Sequence, residues 1–149
     1  MGLKERLKSD LTEAIRARDE VRAGTIRMAL TSITNEEVAG KEARILTDAE
    51  IITVLSREAK KRREAAEAYD GAGSKERGDR ERAEGLVIAE YLPSQLSESE
   101  LQEMIKAAIV ETGASGPSGM GQVMKVLSPK IAGRADGSKV SAAVKAALS

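Results

Sequence analysis

Apolar residues recur at steps of three or four along nearly the whole chain, and this spacing constrains the fold more than any other feature. Near the start of the chain they are Leu3, Leu7, Leu11, Ala14 and Ile15. Residues with this spacing lie on one stripe of an α-helix. No segment shows the alternation of apolar and polar residues that is typical of a strand. The sequence therefore predicts an all-α protein.

Three more helices are predicted in the N-terminal part of the chain. The second includes Gly24, and a glycine inside a helix costs about 1 kcal/mol relative to alanine, so we expect a close helix crossing there. The third begins at a Thr-x-x-Glu capping box, Thr47 with Glu50, and ends at the glycines of residues 70–74. The fourth must stop just before Pro93, which disfavours helical geometry in the preceding residue. The predicted apolar faces of the second and fourth helices are Val21, Thr25, Met28, Ala29, Ser32 and Ile33, and Ala83, Leu86, Val87 and Tyr91.

The chain is predicted to divide into two domains near Pro93. A second capping box, Ser97 with Glu100, opens a new helix a few residues beyond this proline. We expect residues 1–93 to form a larger N-terminal helical domain, either a four-helix bundle or a helical hairpin. Residues 94–149 are then a small C-terminal domain of three helices.

The three C-terminal helices differ in how they end. Gly113 suits the C-terminal cap of the first, and Pro129 is expected to end or kink the second. The third runs to the end of the sequence. The apolar positions of the three helices are Leu101, Met104, Ile105, Ala108 and Ile109; Met120, Val123, Met124 and Leu127; and Val140, Val144, Ala147 and Leu148.

Several residue types are missing, and their absence restricts the chemistry. Without cysteine and histidine the chain has no disulfide, no thiolate nucleophile and no imidazole base or zinc ligand. We therefore expect no catalytic residues, no metal site and no cofactor. Phe and Trp are also absent, which predicts a thin, aliphatic core. No apolar run reaches the roughly 20 residues that span a bilayer, so we expect no membrane partner. The absence of cysteine fits a reducing compartment, so we expect a cytoplasmic location.

Charge is balanced overall, with 24 basic and 24 acidic side chains, so a broad basic field is excluded. Positive charge nevertheless accumulates after Thr112, where Asp136 is the single acidic residue. The cluster at residues 60–63, Lys-Lys-Arg-Arg, is interpreted as a solvated helix face because acidic residues flank it. A magnesium site around Glu36 and Glu37 stays open as an alternative. The basic residues after Thr112 are Lys125, Lys130, Arg134, Lys139 and Lys145.

Glycines precede the basic helices and offer a second means of holding an anion. Gly116 and Gly121 have the spacing of a phosphate loop, but Gln122 and Val123 follow where that motif needs Lys and Ser or Thr. A nucleotide site is therefore not expected. Backbone amides near Gly119 and Gly121 could still approach a phosphate at the start of a helix. A plain turn between packed helices is the alternative.

Two segments resemble the GatB/YqeY family, and more closely its short stand-alone YqeY-type members. They are "EYLPSQLSESEL", residues 90–101, and "GMGQVMKVLSPKIAGRADG", residues 119–137. The opening segment, "LKERLKSDLTEAIRARDEVRAGTIRM" at residues 3–28, and "REAKKRREAAEAY" are similar to the family too. The resemblance therefore spans nearly the whole chain. It implies an all-helical fold with a larger N-terminal and a small C-terminal domain. The same module forms the tail of the GatB component of the tRNA-dependent amidotransferase.

The resemblance implies a tRNA-binding accessory module. The family is associated with carbon–nitrogen ligase activity that uses glutamine as the nitrogen donor, but the catalytic domain of the amidotransferase is missing here. We therefore expect no catalysis by this chain alone. The alternative is a docking module for an amidotransferase, an aminoacyl-tRNA synthetase or a second copy of the chain. The expected RNA-binding residues are Lys125, Lys130, Arg134, Lys139, Lys145, Gly119 and Gly121.

Overall fold

The computed structural model describes residues 2–149, and within them every regular element is helical, as the apolar spacing predicts. A single 3₁₀ turn, Pro117–Gly119, precedes the sixth helix. Both predicted capping boxes are present at the starts of their helices. The helices are α1 (Leu3–Arg16), α2 (Glu20–Glu37), α3 (Asp48–Gly71), α4 (Lys75–Ala89), α5 (Glu98–Thr112), α6 (Met120–Ile131) and α7 (Gly137–Leu148).

Contacts between residues divide the chain into two compact units, Met1–Leu92 and Pro93–Ser149. The first contains α1 to α4 and the second contains α5 to α7. Compactness alone does not show that a segment folds by itself. The two-domain organisation therefore stays a prediction.

The core of the first unit is aliphatic, as the composition predicts. Leu7, Ile33 and Leu55 are almost inaccessible to solvent, and α2 contacts each of the other three helices. Tyr91 adds an aromatic side chain to this core. The buried cluster consists of Leu7, Ile26, Ala29, Ile33, Leu46, Ile51, Val54, Leu55, Ala59, Ile88 and Tyr91.

Several residues assigned to apolar stripes are exposed instead, so those assignments are wrong. Because α2 packs against three neighbours, its buried arc includes Ile26 as well as the predicted Ile33, while the predicted Val21 and Met28 are exposed. On α4 the buried apolar residue is Ile88. Helix ends and outer faces need no partner, and single exposed apolar residues there are ordinary. The misassigned residues are Ile15, Val21, Met28, Leu86 and Ala147.

Gly24 does not mark a close helix crossing, contrary to expectation. A Cβ atom placed on it would meet nothing within 4 Å. The close approach is instead at Gly78 on α4. A Cβ there would collide with the Asp70 carboxylate and come within 3.2 Å of the carbonyl oxygen of Ala66. The hairpin of α3 and α4 therefore depends on Gly78.

We expect Gly78→Ala to destabilise the protein by about 1–2 kcal/mol, because overpacking against a backbone carbonyl outweighs the gain in helix propensity. The new methyl group would also push Asp70 away from Arg82, to which it is bound at 2.8 Å. Gly85→Ala is the matched control in the same helix, since its Cβ has open space. It should stabilise by up to about 1 kcal/mol. Chemical denaturation measures both, and an equal effect of the two substitutions would contradict this packing.

Residues 90–92 lie against the helices of the first unit. The Tyr91 hydroxyl donates to Asp10 at 2.5 Å, and the Arg6 guanidinium lies 4.7 Å from the centre of the Tyr91 ring. Glu90 forms an ion pair with Arg22 at 2.5 Å. Burial and the hydrogen bond to the Asp10 carboxylate together raise the pKa of Tyr91 far above its usual range, so this phenol stays neutral. The tyrosine of the Glu-Tyr-Leu-Pro segment thus anchors the end of the first unit.

The second unit closes over a core from all three of its helices. Val123, Leu127, Val140 and Val144 have no measurable exposure. Gly113 adopts the left-handed conformation at the end of α5, as predicted for its cap. Pro129 does not end α6, which continues to Ile131. The buried cluster consists of Leu101, Ile105, Ala108, Val123, Leu127, Ile131, Val140, Val144 and Leu148.

Candidate nucleic-acid interface

The basic residues of the second unit lie on α6, on α7 and in the turn between them. On α6, Lys125 and Lys130 are both exposed. They are five residues apart, which places them about 140° apart around the helix axis. Lys130 approaches Glu111 at 3.8 Å, and both side chains are more than half exposed. Such an ion pair contributes little to stability, so Lys130 remains accessible to another anion.

Helix α7 carries the other two lysines. Asp136 caps the start of this helix by accepting from the backbone amide of Ser138 at 3.0 Å. Lys139 follows in the first turn and Lys145 lies in the last, and both are exposed. Six residues separate them, which is about 120° around the axis. The two helices therefore present their lysines in several directions rather than as one stripe.

Arg134 differs from the lysines because its side chain is partly buried and already hydrogen-bonded. Its Nε donates to the carbonyl oxygen of Ser94 at 2.9 Å. Its charge also helps to lower the pKa of Glu100, although the hydrogen bonds from Ser97 are the larger cause. The structure therefore gives Arg134 partners within the protein.

The two glycines of the predicted site have different surroundings. Gly119 is buried, and a Cβ atom on it would lie 2.6 Å from the Cβ of Ala114, so packing alone requires a glycine there. Gly121 is exposed, and a Cβ on it would meet nothing within 4 Å. Within the described residues, no side chain caps the first turn of α6. Of the two glycines, Gly121 is the one whose backbone a ligand could reach.

Acidic residues on α5 offset much of the positive charge. From Pro93 to Ser149 there are six basic and five acidic side chains, a net charge of +1. Four of the acidic residues lie on α5, where Glu98 and Glu100 stand in the first turn. The positive region is thus confined to α6, α7 and their connection, and it is not a property of the whole unit.

The basic cluster at residues 60–63 is not a uniformly solvated face, and that interpretation is wrong for Arg62. Only 5% of Arg62 is exposed. Its guanidinium bonds to Glu58 at 2.8 Å and lies 3.4 Å from Glu84. Burial alone would raise the pKa of Glu58, but hydrogen bonds from Arg62, Ser32 and Lys61 outweigh it and lower that pKa. Arg62 therefore belongs to a buried ion-pair network between α3 and α4.

Glu36 and Glu37, the two carboxylates that could have held magnesium, each pair with a different basic side chain. Glu37 is buried, binds the Lys4 ammonium at 2.7 Å and accepts from the Leu46 amide at 3.1 Å. Glu36 lies 3.5 Å from Arg57. Within residues 2–149 no three acidic side chains come together as a metal site would require. The same residues include no helix long and apolar enough to cross a bilayer.

Fold and surface together define a small all-helical protein whose C-terminal pair of helices is locally basic. Comparison with known families matches residues 4–148 to the family described as Yqey-like protein. The chain belongs to this family, which confirms the resemblance carried by the two sequence segments. It is also similar to "Altered inheritance of mitochondria protein 41, mitochondrial" of Pyrenophora tritici-repentis, with 29% identity over 133 residues that cover 87% of this chain and 71% of the relative.

Proposed function

We propose that the protein is a tRNA-binding accessory module and that α6 and α7 contact the phosphate backbone of the RNA. The observation that carries the proposal is the exposure of Lys125, Lys130, Lys139 and Lys145 on two adjoining helices. Exposed lysines can neutralise phosphates, which position a nucleic acid without reading its bases.

The character of this surface favours a folded RNA over a single strand. Binding of single strands draws much of its energy from bases stacked on aromatic rings, and α6 and α7 contain no aromatic residue. A folded RNA presents phosphates from more than one strand and is recognised largely by shape and backbone.

A protein-docking module is the second candidate, in which exposed helix faces would dock on a partner. The partner would be an amidotransferase, an aminoacyl-tRNA synthetase or a second copy of the chain. Under either function we propose that the chain does not catalyse a reaction by itself. We also propose that it is located in the cytoplasm. The name of the similar fungal protein assigns that relative to mitochondria.

The salt dependence of tRNA binding separates the two candidates. If four lysines each neutralise a phosphate, log affinity should fall with log salt at a slope of about −3 to −4. The binding of a docking module to its partner would be far less sensitive to salt. Filter binding or fluorescence anisotropy at several salt concentrations gives the slope.

Charge reversal then locates the contact. Lys139→Glu combined with Lys145→Glu should weaken tRNA binding strongly and reduce the slope by about two. Lys106→Glu is the matched control, because Lys106 is an exposed lysine on α5 of the same unit. Equal losses from the double variant and the control would remove α7 from the interface.

A further inference from the structure

We propose that Arg134 and Gln95 form a latch that fastens the segment before α5 to the turn between α6 and α7. The latch consists of Ser94, Gln95, Leu96, Gly133 and Arg134. In it, Arg134 is a positioning residue that holds the basic helices in place rather than a ligand of phosphate. The statement about phosphate rests on the proposed function, whereas the latch itself does not.

Arg134 contributes two of the bonds. Its backbone carbonyl accepts from the amide of Leu96 at 2.9 Å, and its Nε donates to the carbonyl of Ser94 at 2.9 Å. A single residue of the α6–α7 turn therefore engages the segment before α5 through both its main chain and its side chain.

Gln95 supplies two more bonds from the opposite direction. Its carboxamide nitrogen donates to the carbonyl of Gly133 and to that of Pro93, each at 2.8 Å. Both acceptors are carbonyl oxygens, so only the NH₂ group can make these bonds, and both of its hydrogens are used. Gly133 has a φ of 73°, a conformation that favours glycine.

The latch also joins the two separated segments, residues 93–96 and 133–134, through backbone groups. Residues 93–96 are not helical, so their peptide groups need partners outside regular structure. The Gly-Arg-Ala-Asp-Gly turn supplies partners for the carbonyl of Ser94 and the amide of Leu96, and Gln95 itself bonds to the carbonyl of Pro93. Immediately afterwards, the Ser97 capping box starts α5, so the latch joins the beginning of α5 to the connection between the other two helices.

The same geometry gives Arg134 its positioning role. Its Nε–H is used by the carbonyl of Ser94, so a phosphate that bound the other four N–H donors would share the guanidinium with the latch. Lys130 contrasts with it, because its 3.8 Å contact with Glu111 joins two side chains that are both more than half exposed.

Amide hydrogen exchange at Leu96 tests the latch without any RNA. In Gln95→Ala, Arg134→Met and Arg134→Lys the Leu96 amide should exchange about three- to tenfold faster than in the unmodified protein, because each variant loses latch bonds. Gln122→Ala is the matched control, since Gln122 is exposed on α6 and lies outside the latch. Unchanged exchange in the first three variants overturns the latch.

The salt slope of tRNA binding tests the role of Arg134. A positioning residue predicts that Arg134→Met leaves the slope within a few tenths of the unmodified value. A phosphate ligand predicts that the slope falls by about one in Arg134→Met and is retained in Arg134→Lys, and that outcome overturns the positioning role. If the unmodified protein binds no tRNA, the proposed function fails, while the exchange measurement still decides whether the latch exists.

Discussion

Arg62→Ala should lower the free energy of unfolding by about 3–5 kcal/mol, because it removes the most buried member of an ion-pair network and leaves Glu58 and Glu84 with longer contacts only. Arg62 is bonded to the Glu58 side chain and to its backbone carbonyl, and Glu84 lies 3.4 Å away. Without the guanidinium, Glu58 keeps its bonds from Ser32 and Lys61. These are longer and do not replace the short bond to Arg62.

The matched control for this prediction is Arg57→Ala. Arg57 lies in the same helix, but it is exposed and its ion pair with Glu36 is 3.5 Å long, so its loss should cost less than about 1 kcal/mol. Urea denaturation followed by circular dichroism measures both variants. A cost for Arg62→Ala as small as that for Arg57→Ala would show that the network adds little to stability.

Leu127→Ala should destabilise the second unit by about 2–5 kcal/mol, the usual cost of removing a fully buried leucine side chain. Leu127 has no measurable exposure and lies in the middle of the smaller core. A small unit has little stability to lose, so much of it should unfold at room temperature. Leu86→Ala is the control, because Leu86 is 72% exposed.

The same variant tests the two-domain prediction. If the units fold independently, Leu127→Ala should raise amide exchange throughout α5, α6 and α7 and leave the core of α3 protected. Loss of protection in α3 to the same extent would show that the units unfold together. Residue-resolved exchange by NMR distinguishes the two results.

The helices and several of their ends could be predicted because local interactions determine them, although α4 ends at Ala89, before the position predicted from Pro93, and α6 continues past Pro129. A capping box closes within three residues, as at Thr47 and Ser97, and the left-handed cap at Gly113 depends only on the glycine itself. The aliphatic core follows from composition. Membership of the family was likewise readable, since the segments that carry the resemblance are continuous in the sequence.

The partners of individual side chains could not be read in this way. Arg62 has acidic neighbours in the sequence, as any surface arginine of a charged helix does, and its burial depends on α4 packing beside it. Arg134 was assigned to RNA as one of five cations, and only the folded chain brings Ser94, forty residues away, against it. Gln95 and Gly133 are visible in the sequence as a polar residue and a turn glycine, but their spacing does not show that they are hydrogen-bonded to each other.

Periodicity and caps thus determined where the helices lie, because those signals act over three or four residues. Tertiary structure decided which arc of α2 is buried, which glycines are tightly packed and which cations have partners within the protein. Each of these depends on contacts between residues far apart in the chain. A local sequence pattern does not show which residues of another helix will pack against it.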